Sequence, residues 1–399
     1  MKEVRIVSLQ GLDKYDVFMQ DFMYGDTRIF AFHNRRDLSI DEHHSIEYGF
    51  YKGVLFHDSS IKSIEPYYFP EKNVFDLSKN GYNATLFYLN YGDNYKSSDN
   101  YKGVSLHKLD CRTKKSICFS KRDFNLSGSE PVDDFFRTLT FVGINERYVF
   151  ISFVLGLDHT KYNYVVDSLS GEWLPVLGDL LLNNLDSFSI LGSTQSNYIV
   201  IKTGQYTPEE KMRWWKDNHT ERVDEHIIVI KDQEFIELVR NGSVDLLPYV
   251  IDTCTNQSAQ SGYIFDSDGI VYYTNHFDSS TTSITRYNPL TFNKEELSYS
   301  GLHSNVLYFK NQFYSFIDTD EKQILSDLDT MKNIITIHYP DKLLWLDDEH
   351  LLMYSFLSNG NMRITSKNKW TNHITILGEG ICFVDRSRDV VTIIERPGM

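Results

Sequence analysis

Cysteine and proline are scarce in this chain of 399 residues, with 4 and 9 copies. The cysteines, Cys111, Cys118, Cys254 and Cys382, form no C-x-x-C pair and have no histidines at zinc-module spacing, so a structural zinc site is not expected. Cys111 and Cys118 flank a polar turn and could face each other across a hairpin, although free thiols are the preferred reading. No segment approaches the ~20 apolar residues that a membrane helix needs. Met1 to Leu9 has neither the basic nor the long apolar region of a secretory leader. The expectation is a cytoplasmic protein with no membrane contact.

Sequence signatures of chemistry are equally sparse. There is no G-x-x-x-x-G-K-[ST], G-x-G-x-x-G or G-x-S-x-G, hence no phosphate cradle and no hydrolase elbow. H-E-x-x-H is missing. Asp266-Ser267-Asp268-Gly269 begins like a calcium loop but has no bidentate glutamate at the right distance, and it reads as a turn before a strand. No cofactor and no metal are expected.

Basic charge is the next shortage. With 40 Lys+Arg against 55 Asp+Glu the formal charge is −15, which repels a nucleic-acid backbone. Two local basic clusters run against the average. One is Arg35-Arg36; the other is Arg112, Lys114, Lys115, Lys121 and Arg122. The second falls on a hairpin, where lysine on a solvated edge strand guards against sheet-to-sheet pairing.

What the chain has in abundance is aromatic residues, 26 Tyr and 26 Phe. Aromatic and β-branched side chains suit a pleated, half-buried surface, so the fold class is read as all-β. Strand groups recur. Tyr148 to Val154, Tyr164 to Val166 and Trp173 to Val176 form one. Gly269 to Thr274, Ser283 to Tyr287 and Glu295 to Ser298 form another. Gln312 to Ile317, Gln323 to Asp327 and Asn333 to His338 form a third. A further group pairs Tyr198 to Lys202 with Glu225 to Lys231 and takes Glu234 to Leu238 as its last strand. The turns between the last two strands rhyme: Asp110-Cys111-Arg112-Thr113, Asp167-Ser168-Leu169-Ser170, Asn288-Pro289-Leu290-Thr291 and Asp327-Leu328-Asp329-Thr330. The Asx side chain accepts backbone N–H bonds and the hydroxyl suits the turn exit.

A unit of this kind cannot bury both faces alone and must stack on its neighbours. In these strand groups and turns the chain resembles β-propeller repeat proteins at the level of the superfold. It carries neither the Trp-Asp and Gly-His dipeptides of the WD40 family nor the paired glycines of kelch repeats, so no family is assigned. The resemblance implies a β-propeller over residues 1–399 as a single domain, with about seven blades and eight as the alternative count. Strands near the two termini, Val4 to Leu9 and a hairpin within Gly380 to Glu395, are expected to close it. Two stacked β-domains are the alternative arrangement.

Interruptions of the repeat are where function is expected. In the segment 207–222, Thr207 is an N-cap type, Pro208 fits the first helical position and Glu210 completes a capping box, so a short helix from Pro208 to Asp217 is predicted. Met212 and Trp215 share one face, and Trp214 is turned roughly 100° away. Trp214 and Trp215, with Arg213 and Lys216 beside them, have the composition of an interface anchor; packing against neighbouring loops is the alternative. The leucine-rich stretch from Leu174 to Ser189 reads as a short amphipathic helix covering a sheet edge. Asn34 to Glu47 holds His43, His44 and several carboxylates, but adjacent histidines point apart, and a solvated loop is expected.

The functional reading is a non-catalytic, monomeric scaffold that binds a protein or peptide through its loop insertions, with acidic loops steering a basic partner. The alternative is a carbohydrate-active or other hydrolytic enzyme with convergent carboxylates in a central channel, Asp37, Asp158, Asp266 and Asp318 being the acidic residues near strand exits.

Overall fold

The computed structural model describes residues 3–8, 16–24, 27–34, 39–41, 46–48, 51–58, 66–78, 84–91, 103–122, 139–155, 160–179, 181–192, 197–204, 223–256, 264–267, 270–278, 281–301, 306–309, 312–319, 321–346, 349–357, 362–385 and 390–395. The chain divides into two compact units, one of Met1–Asp21, Asp26–Phe69 and His303–Met399, the other of Phe22–Gly25 and Pro70–Leu302.

The chain opens with β1 (Glu3–Ser8), β2 (Asp16–Tyr24), β3 (Thr27–Asn34), a small hairpin of β4 (Ser39–Asp41) and β5 (Ile46–Tyr48), then β6 (Gly53–Asp58) and β7 (Pro66–Tyr68). Strands β2, β3, β6 and β7 form one four-stranded sheet in that order. The hairpin falls within the stretch expected to be a solvated loop, and it is a separate two-stranded sheet.

Four sheets follow. The first of them is β8 (Val74–Leu77), β9 (Thr85–Tyr91), β10 (Val104–Asp110) and β11 (Lys115–Arg122). The next is β12 (Thr140–Gly143), β13 (Tyr148–Leu155), β14 (Thr160–Asp167) and β15 (Trp173–Pro175). Then come β16 (Leu185–Gly192), β17 (Asn197–Gly204), β18 (Val223–Lys231) and β19 (Val250–Asn256). The fourth is β20 (Ile264–Ser267), β21 (Ile270–Asp278), β22 (Thr281–Asn288) and β23 (Asn293–Ser300).

The C-terminal part contributes β24 (Val306–Phe309), β25 (Gln312–Asp318), β26 (Lys322–Asp327) and β27 (Asn333–His338) as one sheet. The last sheet takes β28 (Lys342–Leu346), β29 (His350–Phe356), β30 (Met362–Asn368), β31 (Ile374–Asp385) and β32 (Val390–Glu395), and β1 joins it. β1 runs parallel to β32, from Glu3 opposite Val390 to Ser8 opposite Glu395, so strands near the two ends of the chain share a sheet as expected. Val4 packs there against a cluster of Leu352, Ile364, Val391 and Ile393. Successive four-stranded antiparallel meanders are the building plan of the β-propeller class, and the chain belongs to that class.

The second unit shows why these residues form two-sided sheets. β13 is almost continuously apolar, with Val149 to Ile151 and Phe153 all buried, as a strand covered on both faces must be. Its Phe150 lies flat on Phe188 of β16, ring centroids 4.1 Å apart, and Phe235 meets both rings edge-on. Burial of each such ring contributes about 1.5–3 kcal/mol.

Phe235 belongs to an element that the sequence reading assigns wrongly. Glu234 to Leu238 is not a strand; it lies within helix α1 (Asp232–Arg240). Phe235, Ile236 and Val239 lie on one helical face and enter the core, with Asp232 and Glu234 in the first turn and Arg240 in the last. The sheet's last strand comes later, at Val250. The helix expected over Leu174 to Ser189 is also absent: Trp173–Pro175 and Leu185–Gly192 are strands, and only Leu181–Asn184 is helical, as one 3-10 turn. Asp179 Oδ1 accepts the N–H of Leu181 at 2.6 Å and so starts that turn. The capped helix expected at Pro208 to Asp217 lies outside the described residues.

Candidate interaction surface

The rhyming turns share one geometry. In each, the Asx Oδ1 accepts backbone N–H groups two or three residues on: Arg112 and Thr113 at 2.9 and 3.0 Å from Asp110, and Leu169 at 3.0 Å from Asp167. Leu290 and Thr291 bond Asn288 at 2.9 and 3.3 Å, and Asp329 and Thr330 bond Asp327 at 2.8 and 3.0 Å. A fifth copy, Asn368-Lys369-Trp370-Thr371, was not singled out in the sequence; Trp370 and Thr371 bond Asn368 at 3.0 and 2.9 Å. Its N-x-x-T signature is the signal that would have found it.

The fifth residue of each turn is left-handed: Lys114, Gly171, Phe292, Met331 and Asn372 have φ of 56, 73, 58, 55 and 56°. The second residue is pinned inward. The N–H groups of Cys111, Ser168, Leu328 and Lys369 donate to the carbonyls of Ala84, Arg147, Phe313 and Glu349, each beside the start of the sheet's second strand. Backbone geometry therefore forces positions three and five outward.

Electrostatics reinforce the turns. Burial pushes the Asp110 carboxyl up, but bonds from Thr113 and from the Arg112 N–H outweigh it and hold the group below the usual carboxylate range. At Asp167 the Arg147 guanidinium is the leading cause of a lowered carboxyl. Arg240, at the C-terminal end of α1, approaches the same carboxylate at 3.6 Å.

Apolar side chains occupy the outward positions repeatedly. Leu169 is 73% exposed, Phe292 76% and Trp370 77%, with Leu290 and Met331 also exposed. Single exposed apolar residues are ordinary. Position three filled this way in three sheets, by Leu169, Leu290 and Trp370, and position five in two, by Phe292 and Met331, is not.

The patch is largest on the last sheet. After Trp370 the chain runs exposed through Ile376, and Ile374 and Ile376 alternate onto one face of β31. Ile374 to Gly380 pairs only with β30, since β32 bonds the other half of β31 from Ile381 onward. Among the described residues, this stretch of β31 is thus a free edge without a lysine, next to an exposed tryptophan. Two other outer strands do carry charges: exposed Lys115 and Lys121 on β11, and Lys294, Glu295 and Glu296 on β23. Arg122 is an exception in the basic cluster, because it stacks over Tyr164 and Trp173 at 4.3 and 4.8 Å from the ring centroids.

The anchor named from the sequence, Arg213, Trp214, Trp215 and Lys216, lies outside the described residues, as do Asp37 and Asp158. Asp266 lies within β20 and Asp318 ends β25. Cys111, Cys118 and Cys382 are free thiols. No group of three metal-ligating side chains occurs among the described residues, and none of their helices is long and apolar enough to cross a membrane.

No family model matches the chain, and no curated protein matches it. Solved structures do. The β-propeller domain of the Trilobed protease from Pyrococcus furiosus aligns with a TM-score of 0.42 at 9% identity, covering 95% of this chain and 98% of that one. Sqt1 of Saccharomyces cerevisiae aligns with a TM-score of 0.41 at 8% identity, covering 90% and 84%. The acylaminoacyl peptidase of Pyrococcus horikoshii aligns with a TM-score of 0.42 at 8% identity; 92% of this chain matches 52% of that one, so the chain spans about half of the peptidase.

Proposed function

We propose that this chain is a protein-binding scaffold whose partner lays an extended segment along the free edge of β31 and packs over Trp370, Ile374 and Ile376. The observation that carries the reading is the coincidence, on one sheet, of unpaired strand edge and outward apolar side chains. Main-chain bonds to the edge would supply affinity, and apolar contact with Trp370 and the two isoleucines would supply specificity. The negative charge of the chain favours a basic partner at long range. The segment with Arg213, Trp214, Trp215 and Lys216 is a second contact under the same proposal.

The test is a photocrosslinking amino acid at position 370, introduced into the full chain in its source cells. A discrete adduct is expected, and it should vanish when Ile374 and Ile376 are both changed to lysine. Trp370→Ala should leave the melting midpoint unchanged, since exposed substitutions rarely move stability by more than about 0.5 kcal/mol. A fall of several degrees would assign Trp370 to packing and remove it from the contact surface.

A further inference from the structure

The sheet β8–β11 carries polar side chains that neither its core nor the binding surface uses. Ser105 and His107 are two apart on β10 and share a face; Glu71 lies just before β8. His107 Nδ1 is 3.1 Å from Glu71 Oε1, and His107 Nε2 is 3.0 Å from Ser105 Oγ. Carboxylate, imidazole and hydroxyl are thus joined in the order that activates a serine.

The imidazole is firmly placed. It stacks on the Tyr88 ring at 4.7 Å between centroids, and the Tyr88 hydroxyl donates to Glu71 Oε2 at 2.9 Å, so one tyrosine orients both members of the acid–base pair. A β-bulge falls between Leu106 and His107, where the register to β11 shifts past Phe119. The extra residue is on β11, so β10 keeps its alternation and its register with β9. Burial, acting against the attraction of Glu71, lowers the basicity of His107. In the tautomer with the Nδ1 proton toward Glu71, the Nε2 lone pair faces Ser105.

One further group, the Asn90 side-chain oxygen, points to a ligand. Asn90 Nδ2 lies 3.4 Å from Ser105 Oγ, and Asn90 Oδ1 is a buried acceptor with no donor. The Ser105 hydroxyl has one proton and two acceptors in reach, Nε2 at 3.0 Å and the Asn90 carbonyl at 3.3 Å. The nearer one is the base.

We propose that Ser105 is an activated nucleophile, with His107 as general base and Glu71 as the positioning residue, acting on small acyl esters or amides that carry an N–H donor for Asn90 Oδ1. Ser105 Oγ bonds to the acyl carbon as its proton passes to Nε2. The bond to the leaving group then breaks, and that group takes the proton from Nε2. Water, deprotonated by the same nitrogen, releases the acid and restores the serine. The inference goes beyond the binding reading and does not depend on it.

The experiment treats the folded full chain with a fluorophosphonate probe and maps the adduct by peptide mass spectrometry. A single adduct on Ser105 is expected, lost in Ser105→Ala and in urea. His107→Gln should slow labelling roughly a hundredfold, in the range that general-base assistance supplies. Glu71→Gln should slow it less and shift its pH profile. Absence of a Ser105 adduct on the folded wild-type chain overturns the proposal, whatever the variants do. Equal labelling of folded and urea-treated chain overturns it as well.

Discussion

Arg147 grips Asp167 at two points, Nε to Oδ1 at 2.8 Å and Nη2 to Oδ2 at 2.5 Å, while Oδ1 also caps the N–H of Leu169. One carboxylate thus closes the turn after β14 and ties it to the residue before β13. Arg147 and Arg240 both lie over the Tyr148 ring, so the same residues connect the turn to helix α1.

Asp167→Asn separates the two roles. Asparagine keeps the cap, as Asn288 and Asn368 do in the equivalent turns. It loses the ion pair. At pH 7 the melting midpoint should fall by a few degrees, and Asp167→Ala should cost more because the cap goes too. The pH dependence has a definite sign. The folded carboxyl lies below its unfolded value, chiefly through the Arg147 bond, so its contribution is present above about pH 4 and lost as pH falls through the folded value. Thermal melts of both proteins from neutral to acid pH should therefore converge at the acid end. Parallel curves would remove the ion pair from the account.

The left-handed turn position makes opposite predictions at two residues. Phe292 holds φ 58° with its ring mostly in solvent, and Gly171 holds φ 73° with no side chain. A left-handed conformation costs a non-glycine residue about 1–2 kcal/mol. Phe292→Gly should recover part of that, offset by the greater freedom of glycine in the unfolded chain, for a net gain below about 1 kcal/mol. Gly171→Ala should lose at least as much as the conformational cost, because its Cβ would meet the Phe119 carbonyl oxygen at 2.3 Å. Urea titrations of the two variants check the signs.

These turns also mark how far the sequence could be read. Aspartate or asparagine three residues before a hydroxyl is a local instruction, and strands such as Asn333–His338 fall where alternation puts them. The first strands of the sheets were missed. Val74–Leu77, Thr140–Gly143 and Val306–Phe309 are four residues each, too short for a period to declare itself. Helix α1 was misread because Phe235 and Ile236 are good strand formers, and only packing against Phe150 and Phe188 shows which period is used. The free edge at Ile374 was invisible for another reason: the sequence does not say that β31 changes partners at Ile381. The approach of Glu71 to His107 needs β8, β9 and β10 in register, which no spacing along the chain encodes.

Thiol chemistry gives the third prediction. Cys111 sits at the inward second position of its turn, 4% exposed, its N–H bonded to the Ala84 carbonyl at 2.9 Å. Burial pushes its thiol far above the ordinary range, with Asp110 adding to the effect. Cys118, on β11, is exposed and lies opposite His107. The two are free thiols, not a cross-hairpin disulfide. In a Cys254→Ser background, a disulfide reagent should therefore modify Cys118 at once in the native protein. Cys111 should wait for the turn to open, at a rate set by local unfolding. Peptide mapping after brief and long exposure distinguishes the two. Modification of Cys111 as fast as Cys118 would mean that the Asp110 turn is not pinned to Ala84, and the inward second position would lose its basis.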